Sequence, residues 1–247
     1  MNINFEDFTE LQYRYLLQIA KQNWKIIDFY DYQNPAKVCL WRHDLDLSIH
    51  RAYRLAQIEF EEGIKATYFI HLHNEFYNFF ENENIELLLK IKDLGHDFGL
   101  HFDPNFYASR LTNYQDLLDW LQFEREILQK NFNLKIHVFS WHNPDIGNWL
   151  NIEEDEIGGM INTYGRYFKE NYAYCSDSNG YWRFRRLKDV LESGEDKKLQ
   201  VLTHPGWWTP EIMSPRDRIS RCIDGRAKKQ HQKYDDSLKK VGRENIQ

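Results

Sequence analysis

The chain has 247 residues and a formal net charge of −6 at pH 7, from 32 basic and 38 acidic side chains. A chain of this charge lacks the basic face that binds nucleic-acid phosphates, so we expect no nucleic-acid partner. The three cysteines, Cys39, Cys175 and Cys222, form no CxxC pair, which argues against a thiolate zinc site and against a disulfide framework.

The N-terminal segment predicts a helix and not an export signal. Residues 1–10, MNINFEDFTE, are acidic and have neither a basic nor an apolar stretch, so we expect a cytoplasmic protein. No apolar run reaches the roughly 18 residues of a membrane helix, and we therefore expect no membrane span. Residues 5–30 predict an extra helix ahead of the first strand, over one end of a barrel.

From about residue 37, short β-like runs alternate with amphipathic helical stretches, which predicts βαβ units and a parallel sheet. The run KVCLWRH precedes a helix that we expect Ser48 to cap and Gly63 to end. The run HDFGLHF precedes a longer helix, in which Thr112 and Gln115 have the spacing of a capping box. KATYFIHL, KIHVFSWH and KLQVLTH read as further strands.

We expect one domain over residues 1–247, because no repeat, low-complexity tract or linker interrupts the chain. Its core covers about 37–206, with a helical N-terminal extension over 1–36. Residues 214–247 predict a C-terminal helix or tail, whose mixed charges are typical of a solvated helix. The sequence leaves a homo-oligomer open.

Six of the ten histidines fall at or just past the carboxyl ends of predicted strands: His43, His71, His73, His101, His142 and His204. In parallel α/β folds the loops that leave this edge converge on one site. A lone histidine there is usually structural, but several together favour a metal or acid–base site.

Two carboxylates stand at the end of the first of these strands. Asp44 and Asp46 are two residues apart, so on a strand both side chains project to one face. Such a pair is unfavourable unless a cation offsets the charge or one carboxyl holds a proton. A divalent metal on one would leave the other to accept a proton from water, and His101 offers a ligand suited to zinc. A solvated turn is the alternative.

The motifs RHDLD, GHDFGLHFDPN, FSWHNP and VLTH resemble, in this order, those of NodB-like polysaccharide deacetylases, carbohydrate esterase family 4. The resemblance covers roughly residues 37–206 and is greatest to the RHDVD-bearing branch linked with capsule and lipopolysaccharide sugars. It implies an α/β fold, a distorted (β/α)7-type barrel with an extra N-terminal helix and a C-terminal helix. It also implies a metal-dependent hydrolase that removes an N-acyl or O-acyl group from a sugar, with Zn²⁺ as the expected cofactor.

The resemblance also implies roles for single residues. Asp44 resembles the family's catalytic base, Asp46 its metal-binding aspartate, and His101 the first histidine of its HxxxH metal pair. The position of the second histidine holds Asn105. The sequence therefore leaves the third metal ligand open.

We expect His142 of SWHNP, which stands where the family's RxPY motif has its arginine, to be that third ligand. Asp103 or Asn105 could instead contribute an oxygen. In a further alternative, His142 only hydrogen-bonds Asp44 and no tight metal site forms.

His204 of VLTH resembles the family's general acid, and an imidazole pKa near 6.5 suits proton donation near neutral pH. The candidate substrate contacts are Asn143, Asp177, Arg183 and Trp207. Asp177 could instead orient His204, and SDSNG equally fits a turn. Trp207 and Trp208 either wall the mouth of the site or pack in the core.

We expect a cytoplasmic substrate, such as a nucleotide-linked or lipid-linked sugar or another small amide. A degenerate deacetylase that binds carbohydrate without turnover is the alternative, and Asn105 motivates it. An amidohydrolase ranks last, because the sequence lacks an early HxH pair.

Overall fold

One curled, mainly parallel sheet organises the chain. The computed structural model describes residues 4–147, 149–182 and 184–246. The strands are β1 Lys25–Ile27, β2 Val38–Leu45, β3 Thr67–Ile70, β4 Asp97–Phe102, β5 Val138–Trp141, β6 Glu156–Ile157, β7 Met160–Asn162, β8 Ala173–Ser176 and β9 Lys198–Thr203. The helices are α1 Glu10–Asn23, α2 Ile49–Glu61, α3 Asn82–Asp93, α4 Tyr114–Phe132, α5 Arg166–Asn171, α6 Leu187–Ser193 and α7 Pro215–Lys240.

The sheet has the order β6-β7-β5-β4-β3-β2-β9-β8, with β1 paired to β2 off this path. Only β6 and β7 pair antiparallel among the described strands. Strand β2 lies between β3 and β9, and β4 and β5 follow beyond β3. Because these five strands are parallel, their carboxyl ends meet at one edge, as the α/β barrel prediction requires.

The strand-then-helix rhythm arises from local sequence signals. All eight residues of β2 are buried, as expected for a parallel strand covered on both faces. The next helix, α2, begins after Ser48, whose side chain accepts a hydrogen bond from the Arg51 amide. It ends before Gly63, which has a positive φ of 71°. Both predicted ends of this helix are confirmed.

The capping box of α4 lies one residue away from its predicted place. Asn113 is the N-cap and Asp116 is its reciprocal partner. The Thr112 hydroxyl donates to Asp116 Oδ2 at 2.6 Å, so it supports the box without being the cap. The prediction of Thr112 with Gln115 was wrong because two polar residues in succession both have capping chemistry.

The N-terminal segment is not one helix over 5–30. Helix α1 ends at Asn23, and the β-branched pair Ile26 and Ile27 continues as β1, which pairs with β2. Tyr13 of α1 accepts a hydrogen bond from Trp41 Nε1 at 2.9 Å. Helix α1 therefore packs on the face of β2 opposite Asp44, and not over a barrel end.

The C-terminal helix is confirmed as α7, which Ser214 caps. Its basic side chains pair with acidic residues at the start of α3, as in the 3.2 Å contact between Arg226 and Glu81. In the described part of the chain, no helix is both long enough and apolar enough to cross a membrane.

Candidate metal and acid–base site

Four strand ends meet at one edge of the sheet and bring ionisable side chains together. Asp44 lies in β2 and Asp46 just past it, His101 lies in β4, His142 follows β5, and His204 follows β9. Together with β3 these strands are consecutive in the sheet, so residues more than 150 positions apart in sequence come close in space.

Asp46, His101 and His142 present three atoms that fit one metal ion. Asp46 Oδ1 lies 3.2 Å from His101 Nε2 and 3.6 Å from His142 Nδ1, and the two nitrogens are 3.2 Å apart. Ligands at about 2.0–2.1 Å from a tetrahedral metal lie roughly 3.4 Å from each other. We call these three atoms the donor triangle. It contains the three ligands expected from the sequence.

The carboxylate of the donor triangle is ionised and lies among three histidines. Burial alone would raise the pKa of Asp46, but His101, His142 and His204 hold it well below its usual range. Asp46 Oδ1 is buried and makes no hydrogen bond of good geometry. A cation between Asp46 Oδ1 and the two ring nitrogens would offset the charge of this carboxylate further. The residues therefore fit a divalent metal, and the mixed nitrogen and oxygen donors suit zinc.

Each histidine of the donor triangle has a partner for its other ring nitrogen, the one outside the triangle. His101 Nδ1 lies 2.7 Å from Ser140 Oγ, which in turn donates to Asp44 Oδ1 at 3.4 Å. His142 Nε2 lies 2.8 Å from the side-chain amide of exposed Asn143. That amide has no other hydrogen bond among the described residues, so it can turn its oxygen to accept Nε2–H. Each ring can then offer its other nitrogen to a metal.

Asp44, the expected base, is buried against a buried cation. Its Oδ2 lies 3.2 Å from Arg42 Nη2, which also donates to the Tyr164 hydroxyl at 3.0 Å. Burial alone would lower the pKa of Arg42, but the Asp44 carboxylate raises it above its ordinary value. Arg42 thus stays charged beside Asp44.

His43 does not support the site, in contrast to the expectation. Its Nε2 lies 2.5 Å from Glu59 Oε1 and its Nδ1 lies 2.8 Å from Thr203 Oγ1. The reason is the alternation of a strand, which turns His43 to the face opposite Arg42 and Asp44. It belongs to a buried polar network under α1 and α2.

His204 and Asp177 form a buried pair. Asp177 Oδ1 lies 2.6 Å from His204 Nδ1, and Asp177 Oδ2 accepts from Trp208 Nε1 at 2.9 Å. Burial alone would lower the pKa of His204, but the charge and hydrogen bond of Asp177, with Asp46 and Asp44 beyond, raise it to about 9. The other ring nitrogen, Nε2, lies 3.5 Å from Asp46 Oδ2. His204 is therefore a protonated imidazole that faces the donor triangle.

The other residues that we expected to contact the substrate differ in where they lie. Asp177 is 0% exposed, so it orients His204 and has no surface for a substrate. Trp208 is buried against Tyr13, with ring centroids 4.8 Å apart, and so belongs to the core. Trp207 is half-buried and packs on Gly180, where a Cβ would lie 2.9 Å from its ring. Arg183 lies outside the described residues.

The turn expected in SDSNG is also present. Asn179 and Gly180 have φ values of 64° and 77°, which belong to the left-handed region. The turn and the orienting role of Asp177 therefore coexist.

Neither oxygen alternative for the third ligand is supported. The Asn105 amide N–H donates to Asp103 Oδ1 at 2.9 Å, and no hydrogen bond in the described chain joins the Asn105 side chain to the donor triangle. Asp103 Oδ2 lies 3.8 Å from His71 Nε2, and no hydrogen bond or ion pair among the described residues joins it to the donor triangle.

Sequence reasoning missed the closeness of His71. This buried residue follows β3, and one of its ring nitrogens lies within 4.8 Å of ligand atoms of Asp46 and His142. Burial lowers the pKa of His71 to about 4. Its position at a strand end was the available signal, but the motif resemblance gave that position no role.

Two further histidines are structural. His73, two residues along, points away and contacts the buried Glu124 at 3.0 Å. His96 Nδ1 accepts a hydrogen bond from the Ala66 amide at 3.2 Å, and its Nε2 lies 3.0 Å from the Ala56 carbonyl oxygen.

Comparisons with known proteins find likeness only among solved structures. No family model matches the chain, and no curated protein matches it. A peptidoglycan N-acetylglucosamine deacetylase domain from Eubacterium rectale is 14% identical, with TM-score 0.46 over 79% of this chain and 87% of that one. The Streptococcus pyogenes deacetylase PplD, solved with acetate, is 13% identical, with TM-score 0.43 over 89% and 88%.

A pseudoenzyme of the CE4 family from Bacillus anthracis is 14% identical, with TM-score 0.44 over 79% of this chain. This chain spans 62% of that protein, which is less than two thirds of its length. Identities this low with TM-scores below 0.5 do not place the chain in a family. The function is argued from the site itself.

Proposed function

We propose that this chain is a metal-dependent hydrolase that removes an N-acyl or O-acyl group from a sugar. One arrangement carries the proposal: the donor triangle lies between a buried carboxylate, Asp44, and a protonated imidazole, His204. Metal-dependent hydrolysis of an amide or ester uses these groups: a metal site, a general base and a general acid.

Asp46, His101 and His142 would hold the metal. A bound divalent cation, Zn²⁺ by its donor set, supplies a Lewis acid that polarises an acyl carbonyl and makes water more acidic. Ser140 fixes the ring of His101 through its Nδ1, so the ligand nitrogen keeps its direction.

Asp44 is the proposed base. It accepts a proton from water as the water oxygen forms its bond to the acyl carbon. Arg42 stays charged and contacts the Asp44 carboxylate, and this contact keeps the carboxylate in place. Because Asp44 is only 2% exposed, bulk solvent competes little for that proton.

His204 is the proposed acid. Asp177 fixes its Nδ1–H, which leaves Nε2–H on the side that faces Asp46. As the bond between the acyl carbon and the leaving nitrogen or oxygen breaks, Nε2 gives its proton to the departing amine or alcohol. General acid catalysis of this kind typically contributes about 10²–10⁴-fold.

The substrate that we propose is a saccharide precursor of capsule or lipopolysaccharide, linked to a nucleotide or a lipid. The RHDLD motif supports this choice by its resemblance to the RHDVD-bearing branch. Half-buried Trp207, three residues after His204, offers an aromatic ring near the acid on which a sugar face can stack.

The test is release of acetate from a panel of N-acetylated and O-acetylated sugars and nucleotide sugars. We expect release that Zn²⁺ supports and a chelator abolishes. Asp44→Asn should lower kcat by about 10²–10⁴-fold while the zinc content stays at one per chain. Asp145→Asn, an exposed carboxylate in the loop after β5, is the matched control. Unchanged turnover of the zinc-loaded Asp44→Asn variant would show that the mechanism is wrong.

A carbohydrate-binding protein without turnover is the second candidate. The observation that favours it is Asn105, which stands at a family ligand position and makes no hydrogen bond to the donor triangle within the described residues. Sugar binding without acyl release from the zinc-loaded protein would support this candidate. Zinc-dependent release would eliminate it.

A further inference from the structure

A cavity of about 420 Å³ lies between helix α7 and the body of the chain. Its lining includes Ile49 at the start of α2, Glu83 at the start of α3, and Cys222 and Gly225 of α7. We call it the α7 cavity. None of its lining residues belongs to the donor triangle, and neither the proposed base nor the proposed acid lines it. Its volume lies in the usual range of small-molecule sites, about 300–1,000 Å³.

One end of the α7 cavity is neutralised by ion pairs. Glu81 and Glu83 at the start of α3 are the two carboxylates of the lining. Glu81 contacts Arg226 at 3.2 Å, and Glu83 pairs with Lys229. The charges at this end therefore cancel between α3 and the middle of α7.

The other end of the cavity is cationic. Arg51, Arg218 and Arg221 line it, and no carboxylate of the lining lies on these first turns of α7. Arg51 and Arg221 have carboxylate partners, Glu10 at 2.7 Å and Glu211 at 2.8 Å, but both partners lie outside the lining. Burial lowers the pKa of Arg51, Glu10 raises it, and the charge of Arg221 lowers it again. The cations thus repel each other across this end of the cavity.

Arg218 has the least compensated of these charges. It is 0% exposed, and its Nε has no hydrogen-bond partner among the described residues. Its other two nitrogens donate to the backbone carbonyls of Gly180 at 3.3 Å and Phe5 at 3.1 Å. Burial lowers the pKa of Arg218 to about 10, although the charge of Asp177 raises it. A buried guanidinium without a contacting carboxylate in the described chain favours an anion in the adjoining cavity.

The start of α2 adds backbone donors to the cationic end. Helix α2 has 13 residues, and the Ser48 side chain accepts from the Arg51 amide. The amides of Ile49 and His50 belong to the first turn, which has no acceptor within the helix. Both residues line the cavity. The partial positive charge at the start of a helix attracts anions, phosphate above all.

We propose that the α7 cavity binds a phosphorylated small molecule of nucleotide size, with its phosphate among Arg51, Arg218 and Arg221. Guanidinium groups present paired N–H donors that match phosphate oxygens. Leu47 and Phe76 also line the cavity, so the rest of the ligand meets apolar walls, as the base of a nucleotide requires. The proposal does not depend on a metal or on acyl hydrolysis.

The test uses the full chain without metal, with inorganic pyrophosphate and ADP as probes in calorimetry and ¹H–¹⁵N NMR. We expect one site per chain with a Kd below about 1 mM, and shifts of the Ile49 and His50 amides. ADP should bind at least as tightly as pyrophosphate. Arg221→Gln should weaken both by at least about tenfold, because it removes a charged hydrogen-bond donor. Arg216→Gln is the matched control, an exposed arginine of the same helix outside the lining.

A second pair of variants changes the space and not the charge. A Cβ on Gly225 would meet nothing within 4 Å, so Gly225→Phe can place its ring in the cavity, whereas Gly225→Ala leaves the space open. Both replacements favour a helix over glycine. Gly225→Phe should abolish binding, and Gly225→Ala should bind as the wild type does.

Three results would overturn the proposal. The first is no saturable binding of pyrophosphate below about 1 mM. The second is unchanged affinity in either Arg221→Gln or Gly225→Phe. The third is a set of NMR shifts confined to the surroundings of Asp46 and His204, which would place the anion at the acid–base site. Weaker binding of ADP than of pyrophosphate would overturn the nucleotide size of the ligand.

Discussion

Asp177→Asn tests whether the charge of Asp177 keeps the imidazole of His204 protonated. The substitution removes the charge of Asp177 and keeps its shape. Asp177 now accepts hydrogen bonds from the backbone amide and Nδ1 of His204 and from Trp208 Nε1. With the charge gone, burial lowers the pKa of His204 and only Asp46 and Asp44 still raise it, so we expect this pKa to fall from about 9 toward its ordinary value of 6.5.

The pKa shift of His204 gives the size of its contribution to the free energy of unfolding. The change from 6.5 to about 9 is about 2.5 pKa units, which at about 1.36 kcal/mol per unit makes about 3 kcal/mol. The folded chain holds this proton more tightly than the unfolded chain. The stabilisation is therefore fully present below pH 6.5 and is lost as the pH rises through 9. Asp177→Asn should lower the free energy of unfolding more at pH 6 than at pH 9.5.

The assay is an NMR titration of His204 in metal-free protein, with urea unfolding at the two pH values. A hydrogen bond lost to the new amide adds a cost of about 1–3 kcal/mol that does not depend on pH, so the difference between pH values isolates the charge. Asp145→Asn serves as the exposed control. The reasoning is refuted if His204 titrates near 9 in the variant, or near 6.5 in the wild type.

Three further predictions concern stability and metal binding. Burial raises the pKa of the Asp97 carboxyl from 3.8 to about 6. The folded chain therefore holds this proton more tightly than the unfolded chain, and the resulting stabilisation is fully present below pH 3.8 and is lost as the pH rises through 6. Asp97→Asn should therefore raise the urea midpoint at pH 8 and much less at pH 4, and equal gains would contradict this. Asn113→Ala removes the cap of α4 and should cost about 1 kcal/mol in urea unfolding, whereas Thr112→Ala should cost less. His142→Ala should weaken zinc binding measured by calorimetry by more than 100-fold, and a loss below tenfold would remove His142 from the ligand set.

Periodicity in the sequence predicted most of the sheet. Strand β2 and helix α2 were confirmed with their ends at Ser48 and Gly63, because helix caps depend on neighbouring residues alone. The break between α1 and β1 was missed. Ile26 and Ile27 extend because they pair with β2, a contact that local pattern does not contain.

The strand-end rule likewise predicted which residues meet. Asp46, His101 and His142 come together because parallel strands end at one edge, and this needs only chain order. The rule does not predict to which face of a strand a side chain points. The rule placed His43 with this group, although strand alternation turns it to the other face.

Two site features depend on distances between elements, which the sequence does not contain. The sequence offered Asp177 both as a substrate contact and as the residue that orients His204, and only its burial beside His204 decides for the second role. His71 came close to Asp46 and His142 only when β3 was placed beside β2.

The central claim is that Asp46, His101 and His142 together hold a catalytic metal. Its most direct test is anomalous diffraction at the zinc edge from crystals of the zinc-loaded protein. We predict one peak at about 2.0–2.2 Å from Asp46 Oδ1, His101 Nε2 and His142 Nδ1. A crystal without a peak at the donor triangle, or with a peak whose ligands omit Asp46, would contradict the account.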